Sequence, residues 1–272
     1  MLDDDRGTQD AVRHGASIRS VAAPVTDWLI DALAVQPGET ILELAAGAGD
    51  AGFATIERLG PGGRLISSDV SPATVEVARR AAAERAFDGI EFRVLDAQHM
   101  ELPSASVDSV ICRWGFMLMS DPASAFRETA RVLRSAGHLA FSVWGDPKRN
   151  PWTTIDAEVC ARLGYASPSA QSDPGEIFSL ADPARLREMV EASGFAVRRL
   201  ESVAVDWPYA SAEDYLAVEV GQEGPRAEYI RGQLAVGRAL ASTIGAELLE
   251  PFRTDAGYLV PGETLNVLAD KG

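Results

Sequence analysis

The chain has 272 residues and a mass of 29.0 kDa, with 46% hydrophobic, 24% charged and 7% aromatic residues. These proportions exclude collagen, coiled-coil and disordered classes, and the length allows one large α/β domain with or without a subdomain. Forty Asp and Glu against 25 Lys and Arg leave a formal net charge of -15, which repels phosphate polymers and anionic membranes and speaks against both as partners.

Residues 1–24 are polar and aperiodic and read as a mobile arm ahead of a domain spanning 25–272. Val25, Trp28, Leu29 and Leu33 then fall at helical spacing, and Pro37-Gly38 makes a turn. Thr40–Leu44 predicts a first strand, followed by a glycine-rich loop and a helix to Leu59. Arg64–Ser68 predicts a second strand. Ser71-Pro72 opens the next helix, with Ser as N-cap and Pro where its missing N–H costs nothing. Ile90–Leu95 and Val107–Cys112 predict strands three and four. Asp121-Pro122 repeats the helix start, to Arg134 with Gly137 as the stop, and Leu139–Trp144 is strand five. Strands alternating with helices in this way imply a parallel sheet covered on both faces. Beyond it come a short helix near Trp152–Leu163, a helix opened by Asp182-Pro183 and stopped by Gly194, an alternating edge or antiparallel strand Val197–Trp207, helices over 211–252, and a closing strand Gly257–Leu268.

No apolar run reaches the roughly 18 residues of a membrane helix; the most apolar stretch, 110–119, contains Arg113. Asp3, Asp4 and Asp5 are the opposite of a basic signal-peptide start, so a cytoplasmic location is expected. Cys112 and Cys160 stand far apart and the three histidines are scattered, so neither a disulfide framework nor a metal site is expected.

The chemistry gathers after the first strand. Gly47, Gly49 and Gly52 form a G-x-G-x-x-G loop, and Asp69 follows at the end of strand two, placed to accept hydrogen bonds from ribose hydroxyls. A dinucleotide site uses its loop N–H groups on a pyrophosphate. Glu43 inside strand one and Asp50 within the loop would repel that group and suit a ligand with ammonium and sulfonium charges. Asp96-Ala97 follows strand three, where a carboxylate can accept from an adenine amine. The set points to S-adenosylmethionine.

These residues, with the segments SSDVSPATVEVARR (67–80), EFRVLDAQHMELPSASVDSVICRWGFMLMSDP (91–122) and FRETARVLRSAGHLAFSVWG (126–145), resemble the class I S-adenosylmethionine-dependent methyltransferases. The resemblance is to the branch around the ubiquinone/menaquinone-biosynthesis enzymes and related small-molecule methyltransferases. It covers about residues 25–207 and, loosely, the last strand, and implies an α/β fold with a seven-stranded, mostly parallel Rossmann-like sheet, helices on both faces and an antiparallel last strand; the helices over 211–252, inserted before that strand where a hairpin needs only about 2–5 residues, are read as a lid. It further implies that Gly47 and Gly49 approach the cofactor, Glu43 orients its amino-acid end, Asp69 binds ribose, and Asp96 with Ala97 holds adenine. Ala45, Val70 and Gln98 complete that shell, and Arg113, Trp114 and Gly115 stand where the methyl donor meets the acceptor. Met117, Trp144 and Trp152 are candidates for the acceptor pocket, since they cluster at or after the carboxyl ends of strands four and five.

The expected reaction is in-line methyl transfer to O, N, S or C of a small molecule, and no residue is forced into the role of general base. Two other readings stay open in the sequence. A nicotinamide-dependent oxidoreductase shares the loop, although Glu43, Asp96 and the lack of a Tyr-x-x-x-Lys pair weigh against it. A catalytically silent cofactor-binding protein would keep the same residues. Neither the acceptor nor the oligomeric state is legible.

Overall fold

The expected strand–helix alternation builds one sheet, seen in a computed structural model that describes residues 4–165, 175–221, 229–232 and 235–272. Strand β1 (Thr40–Glu43) pairs in parallel with β2 (Arg64–Asp69) on one side and β4 (Val107–Arg113) on the other. β3 (Ile90–Val94) adds to β2 and β5 (Leu133–Trp144) to β4, both in parallel. β8 (Gly257–Lys271) runs antiparallel to β5, and β6 (Phe195–Tyr209) lies beyond it at the edge, giving the order β3-β2-β1-β4-β5-β8-β6. A two-residue strand, β7 (Arg253–Thr254), pairs with β8 and is the one strand the sequence did not predict. The edge position of β6 explains its alternation and its tolerance of Pro208.

The order reverses at β1, whose two neighbours are reached by crossovers in opposite directions. In open α/β sheets the crevice at such a point, outside the carboxyl ends of the strands, is where ligands bind. Here that places the loop after β1 beside the loop after β4.

Helix boundaries follow their caps. Ser71 Oγ accepts from the Thr74 N–H at 3.3 Å ahead of α3 (Pro72–Glu84), Asp121 accepts from Ser124 N–H at 3.0 Å ahead of α4 (Pro122–Val132), and Asp182 accepts from the N–H groups of Ala184 and Arg185 ahead of α6 (Pro183–Ala192). Each cap is worth about 1 kcal/mol and sits immediately before a proline at the first helical position.

Several boundaries differ from the sequence reading: β5 starts six residues earlier than Leu139, β6 runs two residues further at each end, and β8 continues three residues past Leu268. Helix α1 runs Asp4–Leu33, so most of the stretch read as an arm is helical. α4 stops at Val132, two residues before the expected Arg134, because Leu133 already pairs with Val107. Residues 134–137 then bulge, so that Val107 and Ser109 on β4 match Leu133 and His138 on β5, with Ala136 at φ 60. α2 (Asp50–Leu59) and α5 (Pro151–Arg162) lie where expected.

The chain divides into two compact units. The larger contains Pro24–Asp146, Gln171–Val203 and Thr264–Gly272 and has the core of the parallel sheet, where Ile41, Leu42, Leu65, Val110, Ile111, Leu139 and Phe141 are fully buried. The smaller contains Met1–Ala23, Pro147–Ala170 and Ala204–Glu263. Its helices include α5, and α7 (Ala212–Gly221) and α8 (Ala235–Leu249) within the 211–252 stretch expected to be helical, of which Gly224 and Leu234 lie outside the described residues. The Tyr215 hydroxyl donates to the Asp156 carboxylate at 2.9 Å, and Tyr209 meets the Tyr215 ring edge-on at 5.4 Å. Asn150, ahead of α5, is a structural clamp: its amide donates to the Glu263 carbonyl at 3.1 Å and accepts from the Glu263 N–H at 3.0 Å. Among the described residues no helix is long and apolar enough to cross a membrane.

Candidate functional site

The loop after β1 makes three left-handed residues, Ala45 (φ 50), Gly47 (φ 57) and Gly49 (φ 87). It is fastened to β2 by two bonds: the Ala46 N–H donates to the Ser68 carbonyl at 2.9 Å, and the Gly47 N–H donates to Asp69 Oδ2 at 3.1 Å. The other Asp69 oxygen accepts from the Ser71 N–H at 3.0 Å. A carboxylate offers about four acceptor sites, so Asp69 is held by two neighbours and still has capacity for a ligand. A Cβ added at Gly47 would meet nothing within 4 Å, which marks open space in front of the loop.

Glu43 lies beneath. It is 1% exposed; Oε1 accepts from the Gly52 N–H at 2.7 Å and Oε2 from the Ser67 hydroxyl at 2.8 Å. The carboxylate thus ties the first turn of α2 to β2. Burial pushes its pKa from 4.5 up to about 7, against the opposing pull of the Ser67 and Gly52 bonds and the Arg113 charge. Since the folded state holds this proton more tightly than the unfolded one, the contribution to stability is largest below about pH 4.5 and is lost as pH rises through about 7. Glu43→Gln keeps an oxygen for Gly52 and removes the titration. Its unfolding midpoint should rise relative to the parent between pH 5 and 8; parallel curves across that range would refute the shift.

Gly52 and Gly115 are glycines for packing. A Cβ on Gly52 would sit 2.2 Å from Glu43 Oε2, and one on Gly115 would sit 2.6 Å from both the Ala45 Cβ and the Cys112 sulfur. The Gly115–Ala45 contact brings the β4 loop against the β1 loop. Arg113 ends β4 with a half-buried side chain whose guanidinium donates to the Thr26 hydroxyl at 2.8 Å; desolvation lowers its pKa while the charges of Asp50 and Glu43 oppose that shift. Trp114 follows at φ 60 and stacks on Trp144 with centroids 4.6 Å apart.

At β3 the Leu95 N–H donates to the Asp69 carbonyl at 2.9 Å, which sets Asp96 beside the end of β2. Asp96 is exposed and accepts from the Gln98 N–H at 2.8 Å, while Gln98 Oε1 accepts from the Asp121 N–H at 2.7 Å. Ala97 is buried, and Val70 is 67% exposed between Asp69 and Ser71, an apolar face open at the strand end.

The expected residues divide accordingly. Glu43, Ala45, Gly47, Gly49, Asp69, Val70, Asp96, Ala97, Gln98, Arg113, Trp114 and Gly115 all stand at or next to the carboxyl ends of four adjacent strands. Trp144 joins Trp114. Met117 is 2% exposed in a short 3-10 turn and packs as core. Trp152 belongs to the smaller unit, where it meets the Trp207 ring at 5.4 Å. Ser67 escaped the sequence reading, because a serine inside a strand carries no signal until its partner across the sheet is known.

A glycine loop at the reversal point, with carboxylates at the ends of β1 and β2 and just beyond β3, belongs to an α/β protein of the methyltransferase type. Residues 36–191 match the Methyltransferase domain family, and the chain belongs to that family. It is similar to the demethylmenaquinone methyltransferase of Deinococcus radiodurans (30% identical over 176 residues, 62% of this chain and 72% of that protein). It is also similar to the arsenite methyltransferase of Halobacterium salinarum (35% over 109 residues, 40% of this chain and 28% of that protein). The chain spans between 28% and 54% of the length of several curated relatives. The YcgJ protein of Bacillus subtilis has the same fold, with a TM-score of 0.57 at 19% identity over 90% of this chain and 97% of that one.

Proposed function

We propose that the chain transfers a methyl group from S-adenosylmethionine to a small-molecule acceptor. One observation carries the choice of cofactor: the N–H groups of Gly47 and Gly52, which a dinucleotide site would offer to a pyrophosphate, are already bonded to the carboxylates of Asp69 and Glu43. Such a loop favours a cationic nucleoside over an anionic one. The residues fit that ligand. Gly47 leaves room at the backbone, Asp69 has acceptor capacity for ribose, the exposed Val70 offers an apolar face to a base, and Asp96 with Ala97 stands beside it. S-adenosylmethionine, when bound, supplies a methyl group already activated on a sulfonium.

What remains for the protein is orientation and the exclusion of water. The Gly47–Asp69 and Gly52–Glu43 bonds fix the loop, and the Gly115 contact sets the β4 loop against it. We assign no general base. The acceptor is read as a small molecule because a net charge of -15 disfavours a phosphate polymer. Residues 211–252 are read as serving that acceptor: they fill a connection that a hairpin makes with about 2–5 residues.

Calorimetry tests the reading. S-adenosylhomocysteine should bind, with NAD and NADP silent. Asp69→Ala should weaken it by about 1.5–3 kcal/mol, the range for bonds to a charged acceptor, in a folded protein. Tight NAD binding without S-adenosylhomocysteine binding would end the proposal, and unchanged affinity in the variant would leave Asp69 a loop fastener.

A further inference from the structure

Among the described residues of the larger unit, three buried polar atoms have no hydrogen-bond partner: Trp114 Nε1, Ser142 Oγ and Asn266 Nδ2. Native proteins leave few such atoms, and each calls for a cause. The sheet register brings these together. Ser142 on β5 is the direct partner of Asn266 on β8 and of Arg113 on β4. The three side chains therefore project from one face, with neighbouring Cβ atoms about 5 Å apart. Phe141, the preceding residue, packs against Phe116 and Phe126 on the opposite face. Trp144 stands two residues beyond Ser142, about 7 Å along the same face, and holds the stacked Trp114 ring there.

The chemistry of the row has one sign. An indole N–H can only donate, and the Asn266 amide oxygen is taken by the Thr264 hydroxyl at 2.9 Å, which leaves the amide NH2. The half-buried Arg113 cation lies over the Trp114 ring, 5.4 Å from its centroid. A water placed there would have two hydrogens of its own to give, with the Ser142 oxygen as the one acceptor among the three orphan groups; an anionic oxygen has none to give. Trp114 adds an independent sign: a bulky residue held at φ 60 is strain of the kind proteins keep at ligand sites.

We infer that Trp114, Ser142 and Asn266 bind an anionic oxygen of the methyl acceptor, so that the acceptor is a small molecule bearing a carboxylate, phenolate or enolate. This rests on the methyl-transfer reading above. The cofactor's own carboxylate has the same chemistry, and the experiment separates the two sources.

Asn266→Leu and Ser142→Ala, made separately, are titrated first with S-adenosylhomocysteine and then, saturated with it, with benzoate as anionic probe and benzyl alcohol as neutral one. The parent should bind benzoate in preference to benzyl alcohol. Each variant should weaken benzoate at least tenfold, hold S-adenosylhomocysteine within twofold, and unfold at the parent's temperature or higher, since an unpaired donor has been removed. Benzoate binding unchanged in both variants overturns the inference, and an accompanying fall in unfolding temperature identifies a buried water. Weakened S-adenosylhomocysteine overturns it in favour of the cofactor carboxylate. A parent that binds S-adenosylhomocysteine without preferring benzoate loses the subsite and keeps the methyl-transfer reading; one that binds neither loses both.

Discussion

Gly52→Ala is expected to destabilise the protein by about 3–5 kcal/mol, a large part of the 5–15 kcal/mol that holds a typical domain folded. The added Cβ would lie 2.2 Å from Glu43 Oε2 and 2.8 Å from Leu65 Cδ2. Neither neighbour can step aside, because Glu43 is buried and bonded to Ser67 and to the Gly52 N–H itself. Overpacking costs about 1–3 kcal/mol, and stretching a bond to a buried carboxylate adds a similar amount. Gly47→Ala is the counterpart. Its Cβ enters open space, so the loss of stability should stay near the 1–2 kcal/mol of a left-handed alanine, while S-adenosylhomocysteine affinity falls with the filled space. Thermal unfolding and calorimetry on the two variants separate the roles. If Gly47→Ala proves the more destabilising, the packing account of Gly52 is wrong.

Replacing residues 213–250 by a short Gly-Ser turn should lower turnover at least a hundredfold, about 2.7 kcal/mol in the barrier. The glycine loop, Asp69 and Asp96 all lie in the larger unit, which has its own buried core. S-adenosylhomocysteine affinity should therefore stay within about tenfold, or 1.4 kcal/mol. The replaced stretch carries Tyr215, whose hydroxyl satisfies the buried Asp156, so the smaller unit loses its packing along with the segment. Circular dichroism and S-adenosylhomocysteine titration would establish that the remainder is folded before turnover is read. Turnover that persists in such a variant would reassign residues 211–252 to a subunit contact or to decoration.

Much of the architecture is written locally. Ser71-Pro72, Asp121-Pro122 and Asp182-Pro183 each start a helix where they stand, because a cap and a fixed φ act over three or four residues and ask nothing of the rest of the chain. The glycine loop and the carboxylates at 69 and 96 were legible for the same reason: each sits at a strand end whose apolar run announces it. The boundaries that moved were decided elsewhere. α4 stops at Val132 because the next residue finds Val107 across the sheet, and nothing near Arg134 records that pairing.

The site shows the same division. Sequence by itself determined the sheet, the loop at its reversal point and the acidic residues that stand at the strand ends, since these depend on spacing along one strand and its turn. Tertiary structure alone decided that Glu43 spends its oxygens on Gly52 and Ser67, and that Ser142 faces Asn266, 124 positions further on. Hydrogen bonding and burial are set by which strands become neighbours. A residue's chemistry is fixed by its type, but its partner is chosen by the register of the sheet.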